Sequence, residues 1–139
     1  MDTLTLQPAV AASLHAWHDM IARRDLSGLD AITRPDVRFR SPAVHKPYQS
    51  APVLALILGT VIQVFEDFTY HRQFASEDGL NVVLEFSARV GDRELKGIDM
   101  IRFDEAGKIA EFEVMVRPLS GLQALAGEMG RRLATLKPA

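Results

Sequence analysis

The chain has 139 residues, 47% of them hydrophobic and 24% charged, which predicts a single domain over residues 1–139 with enough chain for a core. Its 16 basic and 18 acidic residues are mixed along the chain and give a net charge of −2, so nucleic acid is not an expected partner. Cysteine is absent, which excludes disulfides, thiolate catalysis and cysteine metal sites.

Targeting and membrane signals are also absent from the sequence. The first residues, Met1–Leu4, lack the basic and apolar segments of a secretory signal. The longest apolar run, residues 51–65, is too short to span a bilayer and contains Gly59, Thr60 and Gln63. We therefore expect a cytoplasmic protein with no membrane partner.

A helix is predicted from Pro8 to Arg24. Its apolar residues recur at helical spacing and are Val10, Leu14, Trp17 and Ile21. Trp17 either fills the core or points its N–H into a cavity, because a buried indole N–H needs an acceptor. His18 lies on the flank of the stripe and is kept as a candidate site residue.

The next stretch predicts a short second helix within residues 25–32, which ends before Pro35, and a short strand over residues 37–40. Residues 41–48 contain two prolines and predict a stiff loop. His45 and Tyr48 on that loop either line the mouth of a pocket or are exposed to solvent.

A second long helix is predicted from Ala51 to about Val64, with Ser50 as its N-cap and Pro52 in its first turn. Its apolar residues cover nearly the whole circumference, and such a helix is buried on most sides.

Four strands and a last helix follow. Residues 68–76, 81–90, 95–103 and 108–117 alternate between apolar and polar side chains and predict an antiparallel meander. Strict alternation in the first of these strands places four side chains on one face: Phe68, Tyr70, Arg72 and Phe74. Residues 120–136 form an amphipathic pattern with three glycines, which predicts a helix that depends on docking.

Asp99 stands out in the third of these strands because it shares a face with Gly97, Ile101 and Phe103. A carboxylate on an apolar face is costly unless it is paired, hydrogen-bonded or neutral. It is therefore either a structural acid satisfied by backbone donors or a site residue, since perturbed carboxylates concentrate at functional sites.

Helices first and strands afterwards favour an α+β fold, in which a curved antiparallel sheet wraps around the buried helix as a cone. One face of the sheet would line the cone: Val82, Leu84, Phe86, Asp99, Ile101, Phe103, Phe112, Val114 and Val116. A single acid in an apolar hollow is typical of a small-molecule pocket. The sequence contains no phosphate-binding loop, nucleophile elbow or metal-ligand spacing, so neither a cofactor nor a metal is expected.

The segment from Gly97 to Ile109, with its Ile-Asp, Arg-Phe-Asp and Gly-Lys-Ile motifs, resembles the equivalent strand pair of bacterial ketosteroid isomerases. These belong to the NTF2-like superfamily, with the SnoaL-like polyketide cyclases and limonene epoxide hydrolases. Residues 17–32 and 40–47 are similar to the superfamily's first helices and the following strand and loop. The resemblance covers about residues 8–117 and implies an NTF2-like cone, to which residues 120–136 add an extra C-terminal helix.

The resemblance also implies roles for three residues. Asp99 matches the protonated acid that donates to the developing enolate. Trp17 falls at the position of the hydrogen-bonding tyrosine, and Ser41 at that of the general-base aspartate. A hydroxyl has no suitable pKa for a base at neutral pH, so steroid isomerisation is not expected.

Two classes of function therefore remain open. One is an enzyme that isomerises, cyclises or hydrates an apolar, carbonyl-bearing small molecule, and the other is a non-catalytic binding or scaffold domain. The expected outer sheet face mixes apolar and charged side chains, which predicts a homodimer through that face; they are Glu85, Arg89, Ile98, Met100, Glu113, Met115 and Arg117.

Overall fold

The structure is a computed structural model that describes residues 5–136. Residues 1–4, on which the expectation about a secretory signal rests, lie outside this range. The described part of the chain forms three α-helices and six strands, with these bounds: α1 Pro8–Arg23, β1 Thr33–Arg40, β2 Tyr48–Gln49, α2 Ala51–Val64, β3 Glu66–Ala75, β4 Asn81–Val90, β5 Arg93–Phe103, β6 Ile109–Arg117 and α3 Leu119–Leu136.

The strands form one curved, unclosed sheet in the order β2-β1-β6-β5-β4-β3. The predicted antiparallel meander of β3 to β6 is confirmed. The sheet as a whole is mixed, because β1 pairs in parallel with β6 and antiparallel with β2. A parallel partner some seventy residues away leaves no local signal in the sequence, so this pairing was not predicted.

The helices lie close to their predicted bounds. The side chain of Ser50 caps α2 by accepting a hydrogen bond from the backbone N–H of Val53 at 3.3 Å. The predicted second helix reduces to one 3₁₀ turn over Leu29–Ile32. β1 begins at Thr33, earlier than predicted, since the restricted φ of Pro35 is tolerated in a strand with little pairing at that end.

The strict alternation predicted for the first meander strand is wrong. Tyr70 pairs with Phe86, but Gln73 pairs with Leu84, so three steps on β3 oppose two on β4. This bulge turns Arg72 to the outer face, where its guanidinium donates to Glu85, while Tyr70 keeps pointing inward. Phe68 and Tyr70 therefore face the core, and Arg72 and Phe74 do not share their side.

The inner face of the sheet packs against α1 and α2, with α3 lying across one end. One buried cluster joins α1 and α2 to the sheet, and a second joins the end of α2 to β4, β5 and α3. The turn between β5 and β6 rests on α1, because the Ser13 hydroxyl donates to the carbonyl of Gly107 at 2.6 Å. Gly107 has a φ of +83°, and a Cβ there would meet the backbone of Ala9.

None of the helices in residues 5–136 has the length and apolar character that a membrane crossing requires.

Candidate functional site

A cavity of about 240 Å³ opens between the inner face of the sheet, the long helices and α3. Its walls are almost wholly apolar. They include phenylalanine rings from four strands and from the residue that follows α2, together with aliphatic side chains of α3. The principal wall residues are Phe39, Phe65, Phe68, Phe86, Phe112, Leu122, Leu125, Met129 and Leu133. Among the described lining residues, the titratable side chains are Asp99, Tyr70 and Tyr48.

Asp99 lies in the middle of β5, between Leu84 of β4 and Val114 of β6. Its inward direction follows from the alternation of the strand, which also buries Gly97 and Ile101. Only 6% of the residue is exposed, and this burial disfavours the charged carboxylate. The pKa of Asp99 is raised to about 7, against the hydrogen bond from Tyr70, which acts to lower it.

Two hydrogen bonds connect Asp99 to α1 through Tyr70. The indole N–H of Trp17 donates to the hydroxyl oxygen of Tyr70 at 3.0 Å. That hydroxyl in turn donates to Oδ2 of Asp99 at 2.5 Å. The N–H of Trp17 is thereby satisfied by a tyrosine, and both residues line the cavity.

The ring of Tyr70 is held by edge-to-face aromatic contacts. Its centroid lies 4.9 Å from that of Phe68, 5.3 Å from that of His18 and 6.5 Å from that of Phe86. Burial and the adjacent carboxylate raise the pKa of Tyr70 well above its usual value, so the hydroxyl keeps its proton. Burial also lowers the pKa of His18, which favours a neutral ring beside the tyrosine.

The second carboxyl oxygen, Oδ1 of Asp99, receives no hydrogen bond from the described side chains. Within residues 5–136 no buried side-chain nitrogen or oxygen lacks a partner, so Oδ1 must have accessible surface. Since Asp99 lines the cavity, we infer that this surface faces the cavity. The arrangement presents one carboxyl oxygen to a ligand and keeps the other on Tyr70.

Ser41 and Tyr48 line the cavity wall. The hydroxyl oxygen of Ser41 accepts hydrogen bonds from the backbone N–H groups of Ala43 and Val44, at 3.2 and 3.1 Å. These bonds shape the loop, and no neighbouring side chain accepts the proton of Ser41 in the described part of the chain. Tyr48 stacks on Phe39 and is partly exposed.

The structure brings together part of the predicted site. Seven predicted residues line the cavity: Trp17, Ser41, Tyr48, Phe86, Asp99, Phe112 and Val114. The others lie elsewhere. Four pack inside the core behind the cavity surface, and they are Val82, Leu84, Ile101 and Phe103. Val116 packs against the second cluster, His45 is exposed on its loop, and His18 reaches the site only through the ring of Tyr70.

The correction for the core residues has a geometric reason. The same inward face of β4 and β5 packs in the core at Leu84 and Ile101 and lines the cavity at Phe86 and Asp99. Sequence alternation gives the face of a residue but not its position along the cone.

The sequence reading missed Tyr70 and the whole contribution of α3. Alternation already placed Tyr70 on the face of Phe68, but the sequence carries no signal that its hydroxyl reaches Asp99 across β4. For α3 a signal existed, since its apolar stripe needed a partner surface. That stripe supplies Leu122, Leu125 and Met129 to the cavity wall.

Among the described residues, no cluster of three or more His, Asp or Glu side chains is placed to hold a metal ion. The site's chemistry is therefore that of a buried acid, a tyrosine hydroxyl and an apolar wall.

A curved sheet around α1 and α2, with one acid in an apolar hollow, defines an NTF2-like protein of the cone-shaped α+β type. The chain belongs to the SnoaL-like domain family, whose model matches residues 14–112. No curated protein matches the sequence.

Several solved structures are similar to the chain. A steroid delta-isomerase from Pseudomonas aeruginosa is 67% identical, with a TM-score of 0.95 over 96% of this chain and 98% of that one. An uncharacterized conserved protein with a cystatin-like fold from Silicibacter pomeroyi is 34% identical, with a TM-score of 0.81 over 93% of this chain and 87% of that one. An NTF2-like protein from Mesorhizobium loti shares the fold at 12% identity, with a TM-score of 0.70 over 81% and 93%.

Proposed function

We propose that this protein binds a neutral, apolar, carbonyl-bearing small molecule in the cavity beneath α3, with the ligand oxygen at Asp99. The observation that carries the proposal is the exposure of one Asp99 oxygen to an otherwise apolar cavity. Because its pKa is about 7, much of Asp99 is protonated at neutral pH and can donate to a carbonyl oxygen.

The size and polarity of the cavity support this class of ligand. A volume of about 240 Å³ suits a compact molecule of one or two fused rings, below the usual range for drug-sized ligands. The apolar walls favour a hydrocarbon frame, and the described lining residues include no Lys, Arg or His to neutralise an anion.

Ligand binding can be followed by the fluorescence of Trp17, since it is the single tryptophan of the chain and lines the cavity. We expect β-tetralone, a bicyclic ketone, to change Trp17 fluorescence on binding. Its affinity should be highest below pH 7 and fall about tenfold per pH unit above it, because ionised Asp99 cannot donate. An affinity that is independent of pH between 5 and 9 would contradict the proposed role of Asp99.

Isomerisation of such a ligand is a second candidate, favoured by the 67% identity to the Pseudomonas aeruginosa steroid delta-isomerase. Among the described lining residues Asp99 is the one carboxyl group, and the hydroxyl oxygen of Ser41 already accepts hydrogen bonds from backbone N–H groups. Turnover would then require Asp99 as the base.

The pH dependence of turnover separates these roles. A bicyclic β,γ-unsaturated ketone can be followed by the ultraviolet absorbance of its conjugated α,β-unsaturated product. A rate that rises with pH through 7 would identify Asp99 as a base. Binding that weakens over the same range, with no turnover, would identify it as a donor in a binding protein.

We further propose that the outer sheet face mediates a homodimer. Support comes from the exposure of Phe74 and Met115 beside half-buried Ile98 and Met100 on that face. Static light scattering at micromolar concentration should give twice the mass of the chain. A charge substitution at the face, Met115→Glu, should reduce it to the single-chain mass, while a monomeric native protein would refute the interface.

A further inference from the structure

Tyr70 determines which carboxyl oxygen of Asp99 is available to a ligand in the cavity. Its hydroxyl donates to Oδ2 at 2.5 Å, and the hydroxyl oxygen is itself engaged by the indole N–H of Trp17 at 3.0 Å. With its lone pair facing Trp17, the hydroxyl has its single proton directed at Asp99. The direction of the bond is therefore fixed from α1 to β5.

The ring of Tyr70 cannot easily turn away from this position. It makes edge-to-face contacts with His18 of α1, Phe68 of its own strand and Phe86 of β4. His71 points to the outer face by alternation and bonds to Ser87, and the bulge sends Arg72 to the same face, where it bonds to Glu85. Tyr70 is thus the polar residue that β3 directs to Asp99.

We propose that Tyr70, oriented by Trp17, is a positioning residue that reserves Oδ2 of Asp99 and leaves Oδ1 as the carboxyl oxygen available to a ligand. The site then selects neutral ligands with one carbonyl oxygen and rejects carboxylates. The positioning part stands on the geometry alone, whereas the ligand selection rests on the proposed function.

The charges around the pair support rejection of anions. The groups that face Asp99 are Tyr70 from β3 and, behind the tyrosine ring, His18 from α1, while Tyr48 lies farther out on the cavity wall. His18 is held in its neutral form by burial, as its lowered pKa indicates. A bound carboxylate would lose its hydration without gaining a cationic partner, which is costly.

The positioning bond is tested without any ligand, by following the ¹³C resonance of the Asp99 carboxyl through a pH titration. Tyr70→Phe removes a donor that favours the ionised form, so the Asp99 midpoint should move to higher pH. Tyr48→Phe is the matched control, since it deletes the other tyrosine hydroxyl of the cavity wall, which has no bond to Asp99. Its midpoint should equal that of the native protein.

Trp17→Phe covers the case in which Tyr70→Phe fails to fold. It keeps the tyrosine but removes the N–H that strengthens it as a donor. The Asp99 midpoint should rise, by less than in Tyr70→Phe. An unchanged midpoint in the folded Tyr70 or Trp17 variant, or an equal shift in Tyr48→Phe, would overturn the positioning role.

Ligand selection is tested by calorimetry at pH 6 with β-tetralone and β-naphthoate, which share a bicyclic frame. The native protein should prefer the ketone by at least about tenfold, which corresponds to about 1.4 kcal/mol. Equal affinities would overturn the selection. Failure to bind either ligand would overturn the proposed function, while the carboxyl titration would still decide the positioning role of Tyr70.

Discussion

Replacement of Asp99 by asparagine should stabilise the protein, and increasingly so as the pH rises. The pKa of Asp99 is about 7 in the folded chain, against an ordinary value of 3.8. Below pH 3.8 the acid is neutral in both the folded and unfolded states, so its burial carries no ionisation penalty. Above pH 3.8 the unfolded chain ionises first, which lowers the free energy of unfolding until the folded carboxyl also ionises near pH 7.

The magnitude follows from the separation of the two pKa values. Each unit is worth about 1.4 kcal/mol, so the penalty reaches about 4 kcal/mol above pH 7. Most of the increase, about 2.5 kcal/mol, falls between pH 5 and pH 8. Asparagine has nearly the same shape and its carbonyl oxygen can still accept from Tyr70, so Asp99→Asn should remove this penalty without breaking the bond.

Urea denaturation of both proteins at pH 5, 6, 7 and 8 measures the difference in unfolding free energy. We expect the advantage of Asp99→Asn to grow by about 2.5 kcal/mol over this range. Asp92→Asn, at an exposed turn residue, is the control and should show no comparable trend. A variant destabilised by more than about 2 kcal/mol at every pH would show that Asp99 is a structural carboxylate.

Three further outcomes follow from the packing and the charges. Gly97→Ala should destabilise by about 3 kcal/mol in urea denaturation, because its Cβ would lie 2.6 Å from the ring of Phe86 and press on the carbonyl of Met115. Leu125→Ala, at a buried residue of α3, should cost about 3 kcal/mol and weaken ketone binding, whereas Leu119→Ala at an exposed residue should change neither. Hydrogen bonds from Arg72 and Lys96 hold the pKa of Glu85 well below its usual value of 4.5, so the destabilisation by Glu85→Gln should be present at pH 7 and shrink as the pH falls below 4.5.

The sequence was sufficient for the elements that rest on periodicity. Alternation along residues 95–103 placed Asp99 on the buried face, and the apolar circumference of residues 51–64 identified α2 as a buried helix. The polar partner of Asp99 was beyond the same reasoning. Alternation placed Tyr70 on the face of Phe68, but its bond to Asp99 depends on how β3 and β5 are aligned on either side of β4, which the residues themselves do not mark.

The position of each side chain along the cone was likewise beyond prediction from a single sequence. Leu84 and Phe86 have the same spacing and the same chemistry, yet Leu84 packs in the core while Phe86 lines the cavity. The difference depends on which helix covers each residue. Which helix covers a residue is a property of the assembled fold. The contribution of α3 to the cavity wall depends on the same property.

The parallel pairing of β1 with β6 has a consequence for synthesis of the chain. Phe39 pairs with Phe112, so β1 has its long partner only after more than seventy further residues have left the ribosome. Until then β1, against which the largely apolar α2 packs, pairs only with the two-residue β2. Contacts between such distant residues slow folding, and nascent chains with uncovered apolar helices are prone to aggregate. The N-terminal half should therefore depend on chaperone protection during translation, and chains truncated before Ile109 should accumulate as insoluble protein.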